Sequence, residues 1–213
     1  MIFSAYLFDF DGTLVDSMPS FISSMLRILD ENNIKYESDI VKTITPLGYL
    51  GTAKHFKTLG ITKPETELVE LMIEYVVDEY KYNIQAKENV ISVLKKLKDN
   101  GASINILTAS PHTALDPCLK RLGIYDIFDN VWSCDDFCTT KSDPQIYKMA
   151  AEKIGYSVDK ILFLDDNYNA DKTAKSAGMK VCGVFDESSA DYIEDIKSIT
   201  DFYIDNFSEL LDI

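Results

Sequence analysis

Five short runs of this chain are rich in apolar and β-favouring residues: SAYLF (4–8), ASINILT (102–108), VDKILFLD (158–165), MKVCGVF (179–185) and DFYI (201–204). A strand with one wet face alternates apolar and polar residues, whereas a strand buried on both faces does not. These runs therefore require a sheet covered on both sides, and the covers lie between them. ENVISVLKKLKDNG (88–101) sets Val90, Ile91, Val93, Leu94 and Leu97 on one side and stops at Asn-Gly. PHTALDPCLKRLG (111–123) reads as helix, with Pro117 at a first-turn position or a kink. DPQIYKMAAEKIGY (143–156) opens at Pro144 and closes at Gly155, and NADKTAKSAG (169–178) also ends in glycine. Strand and helix in alternation give an α/β fold: a Rossmann-like parallel sheet core flanked by helices.

One interval breaks that rhythm. From Asp16 to Ala86 the chain offers SMPSFISSMLRILDENN, YLGTAKHFKTLG and PETELVELMIEYVVDEYKY, all helical in pattern and with no strand among them. An all-helical insert between the first two strands of a parallel sheet is expected to be a separate subdomain. The predicted division is a core of residues 1–15 and 87–213 with a helical subdomain of residues 16–86.

The size fits one domain carrying a smaller insert: 213 residues, 46% hydrophobic and 26% charged. With 35 acidic against 21 basic residues the net charge is −14, which repels a phosphate backbone. Nucleic acid is not expected as a partner, and an anionic small substrate would need a local cluster of positive charge. Cys118, Cys134, Cys138 and Cys182 form no CxxC pair and are expected to be reduced, Cys182 as a small buried thiol. No run approaches the ~18 apolar residues of a membrane span. MIFSAYLF lacks the basic start of a signal peptide and leads directly into acids. A cytoplasmic monomer with no membrane contact is expected.

In open parallel sheets ligands bind beyond the carboxyl ends of the strands. Asp9-Phe10-Asp11-Gly12-Thr13 follows the first run, Thr108-Ala109-Ser110 the second and Asp165-Asp166-Asn167 the third, while Lys141 stands at a helix start near the same edge. Carboxylates with a backbone carbonyl make a hard-oxygen site for Mg²⁺, which usually binds beside a substrate phosphate. A carboxylate is also a competent nucleophile toward phosphorus. Asp9 and Asp11, two apart on a strand, share a face. Gly12 permits a turn and lets its amide approach a phosphate. The Thr108 hydroxyl and the neighbouring Ala109 amide suit phosphate oxygens, and Lys141 suits the charge on nucleophile and phosphoryl group alike. Singly, a DxD is also a solvated turn, a lysine a surface charge, and a threonine or an acidic pair a helix cap. Jointly, in order and at predicted strand ends, they define one site.

With those residues in place the chain resembles the haloacid-dehalogenase-like (HAD) superfamily over essentially its whole length. DFDGTLVDS is similar to its first motif, DxDGTLxDS, and LTAS to the second. KSDPQIY resembles the third, KPxPxxY, with Ser142 in place of proline. FLDDNYNADKTAKSAGM resembles the fourth, although Asp165 and Ala170 depart from GDSxxD. The insert resembles the C1-type cap of the phosphoglycolate phosphatase and β-phosphoglucomutase branch, with AKENV (86–90) in place of the usual glycine-containing return. The resemblance implies Asp9 as nucleophile, Asp11 as general acid and then base, and Mg²⁺ held by Asp9, the Asp11 carbonyl and Asp166, with Asp165 in direct or water-mediated support. It implies Thr108 on the phosphoryl group, and Lys141 holding the charges together. Asp11 also selects phosphoryl transfer over carbon–halogen cleavage.

The expected activity is hydrolysis of a small phosphate monoester, phosphoglycolate- or sugar-phosphate-like, by way of an aspartyl-phosphate. The alternatives are a β-phosphoglucomutase-like phosphomutase and a non-catalytic phosphate-binding protein. In the insert, Lys42, Lys54, His55 and Lys57 are candidates to recognise an anionic group on the substrate, with solvated helix surface as the competing reading. Tyr49 and Phe56 are expected to pack.

Overall fold

The computed structural model describes residues 3–37, 39–44 and 47–213, apart from the side chain of Lys42, for which the expectation lies outside the described residues. The strands are β1 (Ala5–Phe8), β2 (Ser103–Thr108), β3 (Asn130–Ser133), β4 (Ile161–Asp165), β5 (Lys180–Val184) and β6 (Phe202–Ile204). They form one parallel sheet in the order β3-β2-β1-β4-β5-β6. All residues of β1 and β4 are buried, as strands covered on both faces must be. The edge strand β3 was not foreseen, because NVWS is only four residues long and three of them are half-exposed.

The strand order places β1 and β4 side by side at the centre, where the sequence of connections reverses direction. Crevices at such switch points are where doubly wound sheets bind ligands. Register then decides which residues meet there. Phe8 lies opposite both Ile106 and Leu164, so Asp9 and Asp165, one residue further on, emerge at the same level. The Asp9 N–H donates to the Leu164 carbonyl at 2.8 Å, extending the ladder by one rung.

Helices α1 (Met18–Glu31), α2 (Ile40–Ile44), α3 (Gly48–Thr58) and α4 (Glu65–Tyr82) precede α5 (Val90–Asp99), α6 (His112–Arg121), α7 (Pro144–Ile154), α8 (Tyr168–Ala177) and α9 (Ile193–Ile199). Pro117 sits inside α6 rather than in its first turn. Asp143 and Asn167 cap α7 and α8 by accepting backbone N–H groups two residues on, at 2.9 Å each, and Gly155 and Gly178 end them in the left-handed conformation. One core joins α7 and α8 to the sheet through Tyr147, Ala150, Phe163, Ala174 and Val181.

The chain divides into two compact units, one of Met1–Asp16 with Gln85–Ile213 and one of Ser17–Ile84. The second has its own core, in which Ile28 and Leu29 of α1 meet Ala53 and Phe56 of α3 and Leu68 and Met72 of α4. Phe56 is fully buried in it and Tyr49 packs against it. Lys54 and Lys57 are exposed and His55 is half-buried. The Lys57 ammonium donates to the Lys63 carbonyl at 3.0 Å, so it closes a local loop.

In the first unit the two crossing segments lie against each other. Val15 bridges Ala86 antiparallel, the Asp16 N–H donates to the Gln85 carbonyl and the Lys87 N–H to the Leu14 carbonyl, each at 3.0 Å. Asn89, within the return segment AKENV, has φ +65. Asparagine tolerates this left-handed conformation better than most residues.

Candidate active site

Asp9, Asp165 and Asp166 are buried and present one carboxylate oxygen each within 4.8 Å of one another. Lys141 joins the first two: its Nζ donates to Asp9 Oδ1 and, at 2.8 Å, to Asp165 Oδ2. The other Asp165 oxygen accepts the Asn167 N–H at 2.8 Å, so both of its oxygens are engaged by the protein. Asp166 Oδ1 accepts the Thr13 hydroxyl at 3.0 Å, and among the described residues nothing donates to its Oδ2.

Electrostatics follow from that crowding. Burial alone would lower the Lys141 pKa, but Asp165 and Asp9 outweigh it and hold the ammonium charged. Burial raises Asp9 well above the carboxylate range, opposed by Lys141 and reinforced by Asp165, Asp166 and Asp11. Asp166 is pushed up to about 7, first by burial and then by Asp165 and Asp186. Carboxylates raised in this way mark a site with more negative charge than its own cations balance.

Asp11 stands apart from the cluster. Its Oδ2 accepts the Ser110 hydroxyl at 2.5 Å, and the Ser110 N–H donates to Thr108 Oγ1 at 3.0 Å. Thr108, buried at the end of β2, is thereby linked to Asp11 through Ser110, with Ala109 between them in the chain. The sequence placed Ser110 in the stretch after β2 but gave it no role, because its partner lies 99 residues away.

Gly12 differs from expectation. Its N–H donates to the Val15 carbonyl at 3.0 Å, so that amide is already committed within the turn. In a trans peptide the C=O lies opposite the N–H, so the same bond turns the Asp11 carbonyl away from Val15. Gly12 has φ +75, and a Cβ there would lie 2.7–2.8 Å from the Asp166 carboxylate. Only glycine permits both the conformation and the approach.

Two further aspartates were not singled out in the sequence. Asp186, buried just beyond β5, adds to the negative field at Asp166. Asp171, in the first turn of α8, is fully buried. Tyr147 steadies the surroundings, its one hydroxyl proton shared between the Lys141 carbonyl at 3.1 Å and the Ala170 carbonyl at 3.2 Å.

The donor set fits Mg²⁺. It is all oxygen, it carries uncompensated charge, and Asp166 Oδ2 is left without a protein donor among the described residues. Asp165, with both oxygens engaged, suits the role of a supporting acid better than that of a ligand.

Residues 6–184 match the family model for haloacid dehalogenase-like hydrolases. The pyrophosphatase PpaX of Bacillus velezensis is 29% identical over 182 residues, 85% of this chain and 82% of that one. A solved Thermotoga maritima structure, assigned as a β-phosphoglucomutase, superposes with a TM-score of 0.85 at 20% identity, covering 98% of this chain and 97% of the other. A Haemophilus somnus 129PT structure, predicted to be a phosphoglycolate phosphatase, does so with a TM-score of 0.80 at 23% identity, covering 100% and 98%. At those identities the structural likeness speaks for the fold, and the family follows from the model match over most of the length: the chain belongs to the haloacid dehalogenase-like hydrolases, a family of enzymes.

Proposed function

We propose that the protein is a Mg²⁺-dependent phosphatase that hydrolyses a small phosphate monoester through an aspartyl-phosphate on Asp9. The observation that carries this reading is the division of labour between two carboxylates near one sheet edge. Asp9 is held by an ammonium on one oxygen, and Asp11 is held by a hydroxyl.

Asp9 attacks phosphorus with the oxygen that Lys141 does not hold. As the new O–P bond forms, the ester P–O bond breaks and the departing oxygen takes a proton from Asp11. Asp11, now ionised, removes a proton from water. The hydroxide oxygen bonds to phosphorus, and the bond from phosphorus to Asp9 breaks. Lys141 offsets charge on Asp9 throughout, and Ser110 keeps Asp11 oriented for both proton transfers. Thr108 and the Ala109 amide are assigned to the phosphoryl oxygens. Mg²⁺ would be held by Asp9, the Asp11 carbonyl and Asp166, with Asp165 in support, and supplies when bound the positive charge that admits a phosphate to an acidic site. Residues 16–86 are read as a cap subdomain, with Lys54 and His55 as candidates to recognise an anionic group.

Asp9→Asn is expected to reduce turnover of an aryl phosphate by at least about 10³-fold. An undiminished rate would falsify the nucleophile assignment. A panel of phosphoglycolate, sugar phosphates and nucleoside monophosphates identifies the substrate class. Pyrophosphate belongs in it because a relative at 29% identity bears the name pyrophosphatase. Incubation with a sugar monophosphate and product analysis separates hydrolysis from transfer within the sugar.

A further inference from the structure

Lys87 carries no acid, hydroxyl or phosphate-binding pattern, yet its side chain reaches the loops at the carboxyl edge of the sheet. Its Nζ donates to the carbonyls of Gly12 at 2.7 Å and Phe185 at 2.5 Å, and to Asp186 Oδ2 at 3.0 Å. Three acceptors use all three ammonium hydrogens. The ion pair is largely withdrawn from water, with the Lys87 side chain 21% exposed and that of Asp186 6%.

The two loops it joins follow strands that are not neighbours in the sheet. Gly12 follows β1 and Phe185 follows β5, and β4 lies between those strands, so no ladder hydrogen bond links them. Lys87 therefore spans the end of β4, where Asp165 and Asp166 emerge. On one side of that span Gly12 abuts the Asp166 carboxylate and Thr13 donates to it. On the other, Asp186 contributes to its field. The backbone of Lys87 grips the same turn a second time through the Leu14 carbonyl.

We propose that Lys87 is a positioning residue for Asp166: by tying Gly12 to Phe185 and Asp186 across the end of β4, it keeps the Gly12–Thr13 backbone against that carboxylate and fixes its orientation. Partners at this remove from a reacting centre typically alter activity by about 10- to 100-fold.

The test has two arms, and only the kinetic one rests on the phosphatase reading. In metal-free Lys87→Ala, amide exchange followed by mass spectrometry is expected to accelerate in peptides covering residues 12–15 and 185–188. Unchanged protection in both peptides overturns the proposal, whatever the enzyme's activity. In the kinetic arm kcat falls by about 10- to 100-fold, KM stays within about twofold, and n-propylammonium, which replaces the missing atoms, restores part of kcat. Loosened loops with an unaltered kcat would reduce Lys87 to a structural tie and also overturn it. If Lys87→Ala does not fold, Lys87→Arg keeps the charge but cannot place one nitrogen among three acceptors. The same fall in kcat is expected from it, and wild-type kinetics in that variant would count against the proposal. A wild-type protein inactive on every phosphate ester defeats the phosphatase reading and leaves the exchange arm to decide the tie.

Discussion

Asp171 is fully buried, and neither carboxyl oxygen has a hydrogen-bond partner among the described residues. Burial first, then Asp165 and Asp166, raises its pKa well above that of a free carboxyl. A buried polar group without a partner costs about 1–3 kcal/mol. Asp171→Val, near in size and apolar, is therefore expected to raise unfolding free energy at neutral pH by that order, measured by urea denaturation. The sign of the pH dependence is fixed. A carboxyl whose folded pKa is raised gives its stabilisation below the unfolded value of about 3.9 and loses it as pH rises through the folded value. The variant's advantage should thus shrink in acid, and an advantage that grew there would contradict a partnerless carboxyl. At this scale the sequence exposed only part of the site. Asp9, Asp165, Asp166 and Lys141 could be read because each sits at the end of a recognisable strand or the start of a helix. The roles of Ser110, Lys87 and Asp186 could not, since what matters about each is a partner 99 or 75 residues away.

Among elements, the junction between α6 and the 3-10 turn Cys134–Phe137 is built on His112. Its Nδ1 lies 2.8 Å from Asp116 Oδ1 and its Nε2 2.9 Å from Asp136 Oδ2. Only the imidazolium donates from both nitrogens, and the bonds to Asp116 and Asp136 raise the histidine pKa. Asp136 also accepts the Ser133 N–H at 2.9 Å, so the clamp extends to the end of β3. A raised folded pKa gives stabilisation that is complete below the unfolded value of about 6.5 and disappears as pH climbs through the folded one. The difference in Tm between the wild type and His112→Gln should close at alkaline pH, and a gap that stays constant from acid to alkali would refute the charged clamp. Periodicity located α5 to α8 because each carries an apolar stripe or a glycine stop. It missed β3, which unlike the equally short β1 is half-exposed at three of its four positions, and α2, which at five residues is too short to show a helical period. The clamp was equally hidden: one histidine and two aspartates on separate elements leave no spacing to recognise.

For the whole molecule, charge is the organising quantity. Asp9, Asp165, Asp166, Asp171 and Asp186 are all buried, while Lys141 and Lys87 supply the nearby ammonium groups. A ligand that binds the folded state at one hundred times its Kd adds about 2.7 kcal/mol. Saturating Mg²⁺ should accordingly raise the Tm, and Asp166→Asn should abolish most of that rise. An equal shift in both proteins would remove Asp166 from the metal site. The parallel sheet was legible because strands covered on both faces lose their alternation, and the insert because strands vanish between residues 16 and 86. What stayed hidden was how closely the chain's departure and return run together. Since Val15 and Ala86 pair antiparallel and Asp16 hydrogen-bonds Gln85, the two ends of the insert already have the geometry of a hairpin awaiting its turn. Asn-Gly makes the two-residue turn such a pair needs. A shortened chain joining Asp16 to Gln85 through Asn-Gly is therefore expected to keep a cooperative melt and the circular dichroism of the sheet unit. The insert could then be exchanged, like a module, without redesigning the sheet beneath it.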